Sequence, residues 1–406
     1  MVRTKKIILL STLYFSQGIP FGFQATALPV YLRSSGVSLS GIGFISALAL
    51  PWMFKALWAP LVDRYWSDRI GRRKSWLVPM QTLMVATLAL SSLADPGEAT
   101  MTLLALVFVM NLVAATQDIA VDGLAVDILD ADELGTGNAA QVVGYKAGML
   151  LGGGIILWLT SFLSWESLFL VMSLAAALPL ALLASFKETD SDTGSVRLID
   201  IPGILAAAGR FFASRGSWWA VSLIATYKLG EVMIDVMFKP FLVDSGFSPS
   251  QIGLWLGTWG MAASLAGSLS GGFLVKKIGV PRALGIALTL RVVPLVFEWW
   301  LTTAQPNASD VITVTMFEHF FGGALTTAMF AFMMSIVDRE IGATHYTILA
   351  SIEVAGKAPG GWISGIAAEA SGYGAVFAAG IILSVAVFIP FAMTGKKFQA
   401  INVKRS

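Results

Sequence analysis

Residues 55–79 read KALWAPLVDRYWSDRIGRRKSWLVP. Seven of the twelve residues from Asp63 to Lys74 are charged, while the stretches on either side, 40–61 and 75–94, carry Lys55 as their one ionised side chain. A helix of ~20 mostly apolar residues crosses the hydrocarbon of a bilayer. Two such runs joined by a short basic segment read as a pair of membrane spans meeting at one face. Gly71 supplies the backbone freedom for a tight turn. Asp63 is placed to bond helix-end amides or arginines, and the basic side chains to hold neighbouring helix ends. Asp63, Arg64, Asp68, Arg69, Gly71, Arg72 and Arg73 are therefore candidate gate residues; anchoring to anionic headgroups is the plainer reading of the same charges.

Working outward, the pattern recurs along the chain. Candidate spans are 7–32, 40–61, 75–94, 100–128, 138–160 and 166–186, then 217–242, 250–274, 282–302, 310–336, 344–368 and 373–394. The apolar runs far exceed the ~10 residues of a barrel strand. The class is all-α membrane protein with 12 transmembrane helices. Composition agrees: 56% of residues are hydrophobic and 13% charged, with mean hydropathy +0.75, against roughly 25% charged in a soluble domain. With both termini cytoplasmic, the inner segments hold twenty lysines and arginines and the outer ones Arg33 alone, a decisive positive-inside bias. The opening MVRTKKIILLSTLYF resembles a signal peptide, but its apolar stretch continues to Tyr31 and reads as an uncleaved first span.

The two halves repeat. Ser34 to Gly43 reads SSGVSLSGIG and Asp244 to Gly253 reads DSGFSPSQIG, each between the first and second span of its half. Glu133-Leu134-Gly135 pairs with Glu340-Ile341-Gly342 before each fifth span. The organisation is a six-helix half over 1–186, a cytoplasmic linker over 187–216 and a second pseudo-symmetric six-helix half over 217–406. Parallel six-helix repeats are the plan of the major facilitator fold.

Asp63-Arg64 followed by Gly71-Arg72-Arg73 resembles the signature loop of the major facilitator superfamily. More specific stretches are Phe15 to Gly22 (FSQGIPFG), Lys55 to Arg64, Gly71 to Pro79, Ala115 to Gly123 (ATQDIAVDG), and Gln141 to Lys146 (QVVGYK). Together they resemble the branch that holds the muropeptide permease (AmpG) and the acetyl-coenzyme A transporter, and within it major facilitator superfamily domain-containing protein 3 and its bacterial relatives. The resemblance implies a secondary transporter whose solute binds between halves that rock to expose it on either side. The solute it implies is fairly large, organic and often anionic: a muropeptide, coenzyme A thioester, peptide or siderophore.

A charge in mid-bilayer is strongly disfavoured unless paired or wet. Span four carries Asn111, Asp118 and Asp122 on one helix face. Two acids one turn apart repel, which favours sharing a proton; a lock to a lysine or a helix end is the alternative. Span seven carries Lys228, Glu231, Asp235 and Lys239 as a stripe that lines a cavity or pairs with other helices. The repeat sets Lys146 and Glu353 at matching depths in spans five and eleven; Lys357, one turn beyond Glu353, can pair with it. Candidate solute contacts are Gln17, Tyr145, Lys146, Lys228 and Lys357. Candidate proton-coupling residues are Asp118, Asp122, Glu231, Asp235 and Glu353. Arg291 and Glu298 read as scaffold, Glu318 and His319 as proton carriers or packed residues, and Lys55 as a side chain reaching to the interface.

The chain has two histidines and no cysteine, so thiol chemistry and cysteine metal sites are excluded. No Gly-x-Ser-x-Gly element and no phosphate-cradling loop occurs. A membrane-embedded enzyme, such as an acyltransferase, is the rival class and would need a nucleophile–base arrangement. No cofactor and no metal is expected. The expected partners are a small-molecule solute, protons and the lipid bilayer, with no nucleic acid, for a monomer in a bacterial plasma membrane.

Overall fold

The computed structural model describes residues 3–94, 100–129, 134–186, 217–336 and 342–394. These residues are almost entirely helical; the one β-type pairing among them is an isolated bridge between Ser67 and Gly71. The linker 187–216, Glu133, Glu340 and Ile341 lie outside the described residues. Six helices are long and apolar enough to cross a membrane by length and composition. Other runs reach that length only as composites. The expected span 40–61 consists of Leu39–Phe44, a 3₁₀ turn Ile45–Ala49, Leu50–Phe54, a 3₁₀ turn Lys55–Leu57 and Ala59–Arg64. Pro51 and Pro60 each open the helical piece that follows, because proline lacks the amide an unbroken helix requires. The expected spans 344–368 and 373–394 run on as Gly342–Ala386, broken at Gly372 with φ 79°.

The chain forms two compact units. The first comprises Met1–Val37, Ala47–Gly194 and Leu242–Thr258. Its principal helices are α1 (Arg3–Gly22), α2 (Lys74–Ser91), α3 (Thr100–Ile128) and α4 (Leu134–Met149). Leu10, Leu13, Tyr14, Leu77, Val121 and Leu124 pack at the centre of one of its apolar clusters. The second unit comprises Ser38–Ser46, Ser195–Phe241 and Trp259–Ser406. It contains most of α5 (Leu229–Asp244), then α6 (Met261–Ile278), α7 (Val280–Leu301), α8 (Ala308–Ile336) and α9 (Gly342–Ala386). Leu223, Ile224, Leu284, Met329 and Leu349 lie in its core.

Lipid tails are as apolar as leucine, so helices in a bilayer associate through close packing of small residues. In the first unit a Cβ on Gly144, Gly148 or Gly152 would lie 2.0–2.3 Å from the carbonyl oxygens of Ser11, Phe15 and Ile19. The second unit uses the same device: a Cβ on Gly356 or Gly360 would lie 2.2 Å from the Ala225 carbonyl oxygen and 2.5 Å from that of Leu229.

The SSGVSLSGIG and DSGFSPSQIG segments share a left-handed glycine, a helix-closing bond and a serine cap. Gly36 and Gly246 take φ 82° and 90°. The amides of Val37 and Phe247 return to the carbonyls of Leu32 and Leu242 at 3.0 and 3.1 Å, the six-to-one bond that closes a helix around a left-handed glycine. Ser38 and Ser248 then cap the next helices by accepting from the Gly41 and Gln251 amides.

Candidate functional site

The loop that follows Arg64 is held from within. Gly71 has φ 105°, a conformation that favours glycine. Its amide bonds the Ser67 carbonyl at 2.9 Å, and Ser75 Oγ donates to the Gly71 carbonyl at 2.6 Å. Arg73 is buried and its Nε donates to Asp127 of α3 at 2.7 Å, with its guanidinium lying where a Cβ on Gly123 would fall. Lys74 Nζ bonds the Phe186 carbonyl at 2.7 Å. Trp66 donates to Asp68 at 3.1 Å and stacks under Arg72. Arg69 is exposed. The side chains of Asp63 and Arg64 lie outside the described residues. Arg73 thus joins the loop to α3 of the same unit through Asp127, an acid whose place in the sequence does not single it out.

In the first unit the acids of α3 each have a partner. Lys55 Nζ pairs with Asp118 Oδ2. The Tyr14 hydroxyl donates to Asp122 Oδ1 at 2.6 Å. One turn and more away, Trp52 Nε1 donates to Asn111 Oδ1 at 3.0 Å, and Asn111 Nδ2 to Gln24 Oε1 at 2.5 Å. The 3₁₀ turn Lys55–Leu57 and the prolines around it turn Lys55 inward, so it neutralises Asp118 rather than reaching for an interface. Gln17 is fully buried, and neither its amide nitrogen nor its amide oxygen has a hydrogen-bond partner among the described residues. An unpaired buried amide costs ~1–3 kcal/mol, so the position suits a polar guest. Tyr145 packs its ring 5.8 Å from that of Phe21, and Lys146 beside it is half-buried.

The second unit holds a denser network. Glu231 is shared: Arg291 Nε donates to its Oε2 at 2.9 Å, and Lys228 Nζ lies 3.3 Å from its Oε1. Arg291 is also shared, donating to the Glu318 carbonyl at 2.7 Å and pairing with the Glu318 carboxylate. His319 Nδ1 contacts the other oxygen of that carboxylate. Asp235 and Lys239 close a pair at 2.6 Å. Glu353 accepts from Lys357 at 2.9 Å and from the Tyr227 hydroxyl at 2.9 Å. The stripe along α5 is therefore paired, partly within itself and partly to α7. Arg291, expected from sequence to be scaffold, is the residue that ties the stripe to α8. At the Gly372 break, the exposed Glu369 accepts from the Ser40 amide at 3.2 Å, and that bond holds its carboxyl below the usual carboxylate range.

A family model described as acetyl-coenzyme A transporter 1 matches residues 6–98 and 91–170. The anhydromuropeptide permease of Escherichia coli K12 is 30% identical over 384 residues, covering 94% of this chain and 77% of that one. The chain belongs to the AmpG-like branch of the major facilitator superfamily. The fold of this transporter is shared by a D-xylose–proton symporter, with TM-score 0.75 at 12% identity over 95% and 97% of the two chains. It is shared also by the nucleoside transporter NupG, with TM-score 0.70 at 14% identity over 96% and 99%. The relatives are permeases and transporters. The protein is accordingly a multi-pass integral membrane protein, a secondary transporter of a small-molecule solute and not an enzyme.

Of the residues singled out from sequence, Asp118 and Asp122 sit together on α3, and Lys228 and Glu231 touch. Asp235 with Lys239, and Glu353 with Lys357, form closed pairs one turn long. Sequence reasoning missed Tyr14 and Asp127 and gave Lys55 and Arg291 lesser parts. Tyr14 offered no signal, since a tyrosine in an apolar span reads as packing. Lys55 and Arg291 carried one: a cation inside a span must find an anion.

Proposed function

We propose that the transporter is a proton-coupled carrier of an organic anionic solute, of the muropeptide or coenzyme A thioester class, working as a monomer in a bacterial inner membrane with both termini cytoplasmic. The observation that carries the reading is the shared occupancy of Glu231. Arg291 takes one of its oxygens at 2.9 Å and leaves Lys228 the other at the longer 3.3 Å. Lys228 therefore holds a half-used positive charge, suited to a carboxylate or phosphate of the solute. Lys146, Tyr145, Gln17 and Lys357 supply further solute contacts. Glu231, Asp235, Glu353, Asp118 and Asp122 carry the coupling, and the loop from Asp63 to Lys74 holds the cytoplasmic gate. The twenty-to-one distribution of basic residues supports the orientation. The names of the permease and transporter relatives support the solute class.

The test is uptake into proteoliposomes under an imposed inside-alkaline pH gradient, with an anhydromuropeptide, acetyl-coenzyme A, a peptide and a ferric siderophore as probes. Accumulation of one probe, abolished by an uncoupler and reduced at least tenfold in Lys228→Ala, is the expected result. Accumulation indifferent to the uncoupler removes the proton coupling, and undiminished uptake in Lys228→Ala removes that lysine's role.

A further inference from the structure

The network around Arg291 is one proton short of neutrality. Its carboxyl groups are Glu231, Asp235, Glu298 and Glu318; its permanent cations are Lys228, Lys239 and Arg291. Asp235, 47% exposed, is cancelled by Lys239; the buried remainder sets Glu231, Glu298 and Glu318 against Lys228 and Arg291, one negative charge in excess, and an unbalanced buried charge is severely destabilising. One added proton closes the balance. Two further titratable side chains touch the set among the described residues: Tyr227, whose ring lies 5.9 Å from Lys228 Nζ, and His319; a neutral phenol has a proton to give and a neutral imidazole a lone pair to take one, which leaves His319.

Its geometry suits it to that proton. Nδ1 lies against Glu318 Oε2 and 3.2 Å from the Thr315 carbonyl oxygen. Two oxygen acceptors at one nitrogen place the hydrogen of the neutral ring on Nδ1, which leaves the lone pair of Nε2 to take the incoming proton. Nε2 lies 2.8 Å from the position of a Cβ on Gly260, so the absence of a side chain there makes room for the ring. The segment Gly253–Gly260 carries no ionisable residue. The His319 side chain is 21% exposed, whereas Glu298 is 3% exposed and accepts no hydrogen bond from a described residue. Along the run His319–Glu318–Arg291–Glu231–Lys228 the histidine is the most exposed side chain.

We propose that His319 is the coupling proton's acceptor: Nε2 takes the proton, and the imidazolium so formed draws the Glu318 carboxylate away from Arg291. Arg291 then closes on Glu231, and Lys228 is released toward the anionic solute. Loss of the proton from Nε2 reverses each exchange. Solute and proton are linked because both ends of the chain His319–Glu318–Arg291–Glu231–Lys228 compete for shared carboxylate oxygens. Glu353, with Lys357 and the Tyr227 hydroxyl, borders this chain through the Tyr227 ring, which lies 5.9 Å from Lys228 Nζ. This assignment rests on the proton-coupled reading above and adds a residue to it.

The chain has two histidines, so histidine-selective ¹⁵N labelling of the full-length protein in nanodiscs gives two ring signals, and His345→Gln assigns them. The His319 ring is expected to show its hydrogen on Nδ1 and a bare Nε2, and to change its ¹⁵N shift pattern in Glu318→Gln. In proteoliposomes, His319→Gln is expected to lose gradient-driven accumulation of acetyl-coenzyme A or an anhydromuropeptide, down to equilibration, while solute exchange falls far less. His345→Gln accumulates as wild type. A His319 ring with its hydrogen on Nε2, or full accumulation by His319→Gln, overturns the proposal. If the wild type accumulates neither probe, the solute class fails instead, and the position of the ring hydrogen with its change in Glu318→Gln still decides for or against His319.

Discussion

Lys55 and Asp118 illustrate what a single residue contributes inside a membrane. The pair is largely removed from water, so neither charge is tolerable alone. Truncating one member of a buried pair costs ~3–5 kcal/mol, whereas removing both is often close to neutral. Lys55→Ala is therefore expected to lower the thermal unfolding midpoint in detergent sharply, and Lys55→Ala with Asp118→Ala to recover most of the loss. Equal midpoints for the single and the double variant would show that Lys55 contributes nothing to stability through Asp118. That the acids of span four were important is written in their spacing on one face. Which cation meets them depends on how the prolines at 51 and 60 rotate the neighbouring run, and no local pattern encodes that rotation.

At the scale of elements, the glycines set how closely helices approach. Glycine to alanine inside a helix is favourable by ~0.5–1 kcal/mol on propensity alone. At Gly148 the added Cβ would stand 2.0 Å from the Phe15 carbonyl oxygen, so α1 and α4 would have to separate. Overpacking of that kind costs ~1–3 kcal/mol and outweighs the propensity gain. At Gly272 the nearest atom is a Thr327 methyl at 3.8 Å, ordinary contact. Gly148→Ala is expected to lower the unfolding midpoint and Gly272→Ala to hold or raise it, in matched thermal melts. Equal behaviour would refute glycine-sealed packing of α1 on α4. The sequence located these helices well, because twenty apolar residues in a row have one stable form in lipid. It did not locate the 3₁₀ and π turns. Those arise where a proline or a glycine cluster such as Gly152-Gly153-Gly154 meets a neighbouring backbone.

For the molecule as a whole, the repeat is the organising fact, and one ion pair spans it. Arg33 and Asp244, 211 positions apart, meet within the first unit through two bonds of 2.7 and 2.6 Å. The pair is exposed to solvent, and such pairs contribute ~0–1 kcal/mol to stability. Its effect is expected on transport rate. Arg33→Asp should leave the melting midpoint within a few degrees yet alter the uptake rate. Arg33→Asp combined with Asp244→Arg should restore that rate, because the geometry is bidentate from either side. Unchanged uptake in the single variant would reduce the contact to a surface decoration.

The sequence by itself determined that this chain lives in a bilayer, that the segments after Ser34 and Asp244 repeat and which family it resembles. Each of these follows from composition, run length, charge placement or a short motif, all of which are local and additive. Only the tertiary structure decided which buried charges hold one another. An ion pair between helices depends on helix rotation and separation, and these are fixed by prolines, glycines and packing many residues away. Arg291 lies 60 residues from Glu231 in the chain and 2.9 Å from it in space. Low dielectric makes such a meeting obligatory for a buried charge, yet leaves the choice of partner to the fold.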